Sequence, residues 1–243
     1  MNPIAGDDRD GITFGDELVG VGAAAAAAAL VGGLESKRVA IEGFGAEGLA
    51  IARAVAAQGA TVARVAAGGA CVSDGGSSAG EGLTPAVLAD AWLAHGDDCV
   101  AALGEADGVA TEKPSQVWSD DVDVIFCGSK PAALTGEDAK TAGTTAVVSW
   151  SPAAISSRAL AVLRSAGAPA AADFVAALGP TLTWWADPTT THEALRAETA
   201  ETVASVMAET AGHDDGAVMA ACYRAERFME TWIDELPFGR PLG

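Results

Sequence analysis

The residues best suited to chemistry are three glycines. Gly43, Gly45 and Gly48 make G-x-G-x-x-G inside "RVAIEGFGAEGLAIARAVAAQG". At a strand-to-helix turn each has a task with a diphosphate. The first permits the tight turn, the second lets backbone N–H groups approach a pyrophosphate, and the third lets the helix close on the strand. The helix that follows offers unpaired N–H groups and a positive dipole end. The candidate cofactor loop is therefore Gly43, Phe44, Gly45, Ala46, Glu47 and Gly48. A tight turn that binds nothing has the same spacing. The second strand of such a site should end in Asp or Glu to hold the ribose hydroxyls. This one ends Ala66-Ala67-Gly68-Gly69, and Asp74, further on, reads as a loop residue. Glu47 places a negative charge where phosphates would lie. Arg64 is the one base on that strand; a 2′-phosphate would suit it, but a salt bridge at the sheet margin is the blander role.

No other constellation offers chemistry. His95, His192 and His213 are far apart and lack metal-ligand spacing. There is no Walker sequence, and the G-x-S-x-G spacing at Gly76–Gly80 falls inside a run of small residues and not at the strand-to-helix turn that a nucleophile elbow needs. The pairs Asp97-Asp98 and Asp120-Asp121 read as solvated faces. Neither a catalytic residue nor a metal site is assigned. The four cysteines, Cys71, Cys99, Cys127 and Cys222, form no C-x-x-C pair, as expected of a reducing cytoplasm.

The elements that must position the loop follow from apolar runs. Arg38–Phe44 reads as a buried parallel strand, 46–58 as a helix and 60–66 as a second strand, a βαβ unit of roughly 30 residues. Gly68–Gly82 reads as a loop of small residues. Thr84 and Pro85 open a helix, and 121–127 is a further strand. Strand, helix and strand alternate on to Phe174, and from Thr189 the pattern is helical. The expected fold is α/β: a Rossmann-like, doubly wound, mainly parallel sheet with additional C-terminal helices. The expected divisions are a tail over 1–17, a dinucleotide-binding domain over 18–188 and a helical extension over 189–243.

Composition limits the partners. The chain has 243 residues, half of them apolar, and 33 acids against 14 bases give a net charge of −19. Phosphate backbones need clustered Lys and Arg, so nucleic acid is excluded as an expected partner. The acidic N-terminus lacks a secretory pattern. The stretch "LVGVGAAAAAAALVGGL", Leu18–Leu34, is near the short limit for a membrane span, but its Ala and Gly suit a packed helix better. The expectation is a cytoplasmic protein with no membrane association.

Three blocks resemble the glutamate/leucine/phenylalanine/valine dehydrogenases: "VGVGAAAAAAALVGGLESKRVAIEGFGAEG", "DVDVIFCGSKPAALTGEDA" and "MAACYRAERFMETW". They are similar, in the family's order, to its Ala-rich linker helix and Gly-rich strand turn, its D-V-D-V strand, and its terminal helix. The resemblance implies the family's cofactor domain, NAD or NADP as cofactor, and Cys127, Gly128 and Ser129 along the adenosine side. It also implies a separate substrate domain with catalytic Lys and Asp, which these residues do not match; Lys37 matches a non-catalytic position. Several cofactor positions depart from the family. Its Asn-Val between the glycines is Ala46-Glu47, its nicotinamide-facing turn reads "WSPAA" with Pro152 in place of Asn, and its Asn after Asp173 is Ala177. Cofactor binding is therefore expected to be weak or absent.

Two readings follow. One is a nucleotide-binding, catalytically incomplete subunit that acts with another polypeptide. The alternative is a structural or interaction subunit, a pseudoenzyme that has lost the cofactor. Either predicts a protein partner or a homo-oligomer, through the linker helix (Ala23–Leu30) and C-terminal helices with Trp184, Trp185, Phe228, Trp232 and Phe238.

Overall fold

The computed structural model describes residues 11–75 and 83–233. Phe238 lies outside the described residues, as do most of the expected tail and the end of the extension. Helix α1 (Phe14–Val31) is opened by a reciprocal cap in which Thr13 Oγ accepts the Asp16 N–H and Asp16 accepts from the Thr13 N–H and hydroxyl. Gly32, in the left-handed region, closes it. β1 (Arg38–Glu42), α2 (Ala46–Ala56) and β2 (Thr61–Ala67) are the expected βαβ unit. After them come β3 (Ala70–Ser73), α3 (Pro85–His95), α4 (Cys99–Leu103), β4 (Ala110–Glu112), β5 (Val124–Cys127) and α5 (Gly136–Ala142). The chain continues through β6 (Ala146–Ser149), α6 (Ser157–Ala166), β7 (Ala170–Ala171), α7 (Asp173–Ala176), α8 (Gly179–Leu182), α9 (His192–Thr210) and α10 (Ala217–Met229).

The seven strands form one sheet in the order β4-β3-β2-β1-β5-β6-β7. β2, β1, β5, β6 and β7 run parallel, while β3 is antiparallel to both its neighbours. The fold is thus the mainly parallel, doubly wound α/β architecture that the alternation of apolar runs predicts. β3 corrects the sequence reading, which took 68–82 as a loop. Gly68 (φ 60) and Gly69 (φ 84) form a two-residue hairpin turn with both residues in the left-handed region, the geometry that matches strand twist. Asp74 is correspondingly no loop residue. It is buried at the end of β3 and takes a bidentate contact from Arg38 at 2.9 and 3.1 Å.

Alternation on the strands divides the core. Val39 and Ile41 of β1 face α1, α2 and the helices beside them, whereas Ala40 faces α5 and α6. Among the described residues α1 is the one helix long and apolar enough to cross a membrane by length and composition. Here it is a core helix. Ala23, Ala24, Ala26 and Ala27 are fully buried, with α2 on one side and α9 on the other. This corrects the expectation of an uncovered linker face, because apolar helix faces pair readily and α9 folds back to do so. The α1 and α9 N-termini are clamped together. The Phe14 ring stacks on His192 at 3.9 Å, and Arg196 reaches Glu17 at 2.7 and 2.9 Å.

Candidate functional site in the crevice at the strand C-termini

In an open parallel sheet, ligands bind outside the C-terminal ends of the strands, where the winding reverses. That point lies between β1 and β5, with α2 on one face and α5 on the other. Gly43, Phe44 and Gly45 connect β1 to α2 there. Gly43 (φ 90) could carry no side chain, since a Cβ would lie 2.5 Å from the Ser129 nitrogen. A Cβ on Gly48 would come within 3.0 Å of the Gly43 carbonyl and 3.1 Å of the Phe44 ring. These two glycines are required by the chain's own packing.

Gly45 is different. Its φ of −167 suits any residue, and a Cβ there would meet nothing closer than the Trp92 ring at 3.8 Å. It is the N-cap of α2 and makes no side-chain cap bond, so the helix N-terminus stays open in front of it. Room without internal need, at an open helix N-terminus, is what a bound phosphate requires. Phe44 is buried and Ala46 half-buried; both are packing residues. Glu47 is half-buried in the first turn of α2. Trp92 of α3 flanks the loop, its indole N–H donating to the Gly11 carbonyl at 3.3 Å.

The three residues expected after β5 do different things. Cys127 is fully buried on the α5 side, and burial, with Glu42 and Asp173 nearby, pushes its thiol far above the usual range. Burial raises Cys71 to about 11 and lifts Cys99 and Cys222 as well, so none of the four supplies a thiolate nucleophile at neutral pH. Gly128 and Ser129 turn their N–H groups inward to Glu42, the last residue of β1. Beside them opens a cleft of about 540 Å³, walled by Ala66–Ala70, Trp118, Lys130 and Asp138. Its position, between the end of β2 and the turn after β5, is where the resemblance expects the adenosine side of a cofactor.

The opposite half, beyond β5 and β6, is filled. Trp150 follows β6 and lays its indole on Gly128, where a Cβ would fall 2.2 Å from the ring. It is nine-tenths buried, and its Nε1 has no hydrogen-bond partner among the described residues. The turn beyond it carries Pro152 and Ala153. Ala153 is held in the left-handed region (φ 54) by its N–H bond to Asp173 at 3.0 Å. The residues present fit the adenosine and phosphate portions of a dinucleotide and do not fit a nicotinamide.

Arg64 has the blander role. It is buried, donating to Glu112 at 2.6 Å and to Asp121 at 2.8 and 3.0 Å. The Arg64 guanidinium holds Asp121 down to about 2, so Asp121 is more than the solvated acid expected. Lys37 binds Asp123 at the far end of the sheet. Among the described residues no cluster of His, Cys, Asp or Glu could hold a metal. Glu42 and Trp150 are absent from the sequence-based site. Glu42 could have been found as a charged residue ending an apolar strand, and Trp150 as the largest residue of the altered turn.

Comparison with known proteins agrees with this geometry. The family model for glutamate/leucine/phenylalanine/valine dehydrogenase matches residues 11–225. No curated protein matches the chain. Among solved structures, a hetero-hexameric glutamate dehydrogenase from Thermus thermophilus is 24% identical with a TM-score of 0.72, over 88% of this chain and 52% of its own. Glutamate dehydrogenase from Plasmodium falciparum is 15% identical with a TM-score of 0.71, over 90% and 52%. L-tryptophan dehydrogenase from Nostoc punctiforme is 13% identical with a TM-score of 0.61, over 89% and 61%. The chain therefore spans about half the length of the glutamate dehydrogenases it matches.

Proposed function

The chain belongs to the glutamate/leucine/phenylalanine/valine dehydrogenase family, and from that premise we propose that it is a nucleotide-binding, catalytically incomplete subunit that acts with another polypeptide. The observation that carries the reading is Gly45, a glycine its own fold does not need, at an uncapped helix N-terminus three residues beyond Glu42, which lines an open cleft. The α2 N-terminus and Lys130 would take phosphates, and the β2–β3 hairpin with Ser129 would hold an adenosine. When bound intact, NAD or NADP supplies hydride chemistry. Here Pro152 stands where the family's Asn would orient the nicotinamide and the Trp150 ring covers Gly128, so this chain's residues would bind and not transfer. The hetero-hexameric relative illustrates how such a fold works beside other subunits.

The test is calorimetric titration with NAD, ADP-ribose and ADP. A half-site gives all three similar, weak affinities, because the nicotinamide adds no contact. NAD binding more than about tenfold tighter than ADP-ribose, a gain of ~1.4 kcal/mol, would mean a working nicotinamide pocket and would overturn the reading. Absence of heat with every ligand at millimolar concentration favours the interaction subunit, a reading that the exposed Trp184, Trp185, Phe228 and Trp232 also support.

A further inference from the structure

The adenosine half-site lacks the acid that should end β2, yet a carboxylate lines the same cleft from the next strand. Glu42 is the last residue of β1, two positions after Ala40, so its side chain leaves the sheet on the α5 side, where the cleft opens. Its Oε2 accepts the N–H groups of Gly128 at 3.1 Å and Ser129 at 3.2 Å, and its Oε1 accepts from the Ser129 hydroxyl. An ionised carboxylate has about four acceptor sites, so three bonds fix its position without exhausting it. A fixed, half-buried carboxylate at the wall of a cleft is what a vicinal diol needs, since both hydroxyls can donate to one such group. The usual place for that acid, the end of β2, holds Ala66 and Ala67, which line the cleft beside Glu42 and leave its face open.

On the reading that this cleft takes an adenosine, we infer that Glu42 is the ribose-binding acid, moved one strand over, and that it makes the cleft selective for adenosine nucleotides with a free 2′,3′-diol. A 2′-phosphate would bring a charge of about −1.5 to −2 against this carboxylate. No cation on β2 compensates, because the Arg64 guanidinium is committed to Glu112 and Asp121, and Lys130, which also lines the cleft, serves the diphosphate on that same reading. The cleft therefore rejects the 2′-phosphorylated form of any nucleotide it accepts.

The experiment titrates the full chain with ADP, 2′-deoxy-ADP and adenosine 2′,5′-bisphosphate. Wild type should bind ADP about ten- to hundredfold tighter than 2′-deoxy-ADP, the range expected of a hydrogen bond to a charged group, and should bind the bisphosphate more weakly still. Glu42→Gln should lose that factor for ADP alone, erasing the discrimination, and adding Ala67→Asp should restore it from the β2 side. Equal wild-type affinity for ADP and 2′-deoxy-ADP overturns the role of Glu42 and leaves nucleotide binding standing. No binding of either nucleotide removes both. The wild-type comparison needs no variant, so a folding defect in Glu42→Gln does not blunt the test.

Discussion

At the scale of single residues, the charged groups divide by what they face. Arg64 sits under the sheet margin and ties β2 to Glu112 of β4 and to Asp121 before β5. Removing its head leaves two partly exposed acids that water can reach, so Arg64→Met should cost about 2 kcal/mol, less than the 3–5 typical of a fully buried pair. Its hydrogen bonds lower the Asp121 carboxyl from its ordinary 3.8 to about 2. A carboxyl depressed by folding stabilises the protein above its unfolded value and loses that contribution as pH falls toward the folded one. Wild-type melting temperature should therefore drop through the window from pH 4 to 2. The drop should be shallower in Arg64→Met, and an identical acid limb in both proteins would contradict the assignment. The same contrast governs the site. Glu42 and Arg64 both end in strong polar partners, but only Glu42 turns to an open cleft; its place at the end of an apolar strand marks it out, yet nothing in the local sequence says that it faces a cleft.

At the scale of elements, legibility follows burial. β1, β5 and β6 are covered on both faces, so they stand out as apolar runs, and α2 follows a glycine signature tied to a strand. β3 is four residues long, begins and ends in small residues, and lies between glycine-rich stretches, so nothing periodic marks it. The signal that did exist was Gly68-Gly69, which supplies two successive left-handed residues. Space in front of Gly69 is open, so substitutions there report backbone conformation alone. Gly69→Val should destabilise by about 1–2 kcal/mol and Gly69→Asn by clearly less, since Asn tolerates the left-handed region. Chemical denaturation at fixed pH measures both, and equal losses would mean the turn is not the two-residue type. The crevice was legible where the fold itself demands glycine, at Gly43 and Gly48. It was not legible where a side chain from one strand enters a cleft built by others, as Glu42 does, or where a ring fills a space, as Trp150 does on Gly128.

At the scale of the molecule, the exposed large apolar side chains gather at one end. Leu93 ends α3 beside the Gly11 turn, and Phe174 follows the C-terminus of β7. Trp184 and Trp185 lie between α8 and α9, near the α1 N-terminus. α10 rises from the β7 N-terminus past Asp173, which acts on Cys222, toward Phe228 and Trp232. Their exposures run from 50% to 79%, with Trp185 the highest. This end also carries the crevice at the strand C-termini. We propose this exposed aromatic surface as an interaction site, since large apolar patches are unusual on a soluble monomer and Trp is favoured at interface centres. With α1 covered by α9, the interface we propose narrows to these aromatics, and a partner seated on them would also close the crevice. Against self-association stands a net charge of −19, which repels a second copy. Salt screens that repulsion, since the Debye length shrinks from about 10 Å at 0.1 M to 3 Å at 1 M. Association driven by the aromatic end should therefore strengthen with salt, whereas association through ion pairs would weaken. Light scattering from 0.05 to 1 M salt should show mass rising for wild type and staying monomeric for the Trp185→Asp, Trp232→Asp double variant, and the same variant should release any partner captured from native extract. A wild type monomeric at every salt concentration, together with a double variant that keeps all its native contacts, would leave this end of the molecule without a role in assembly.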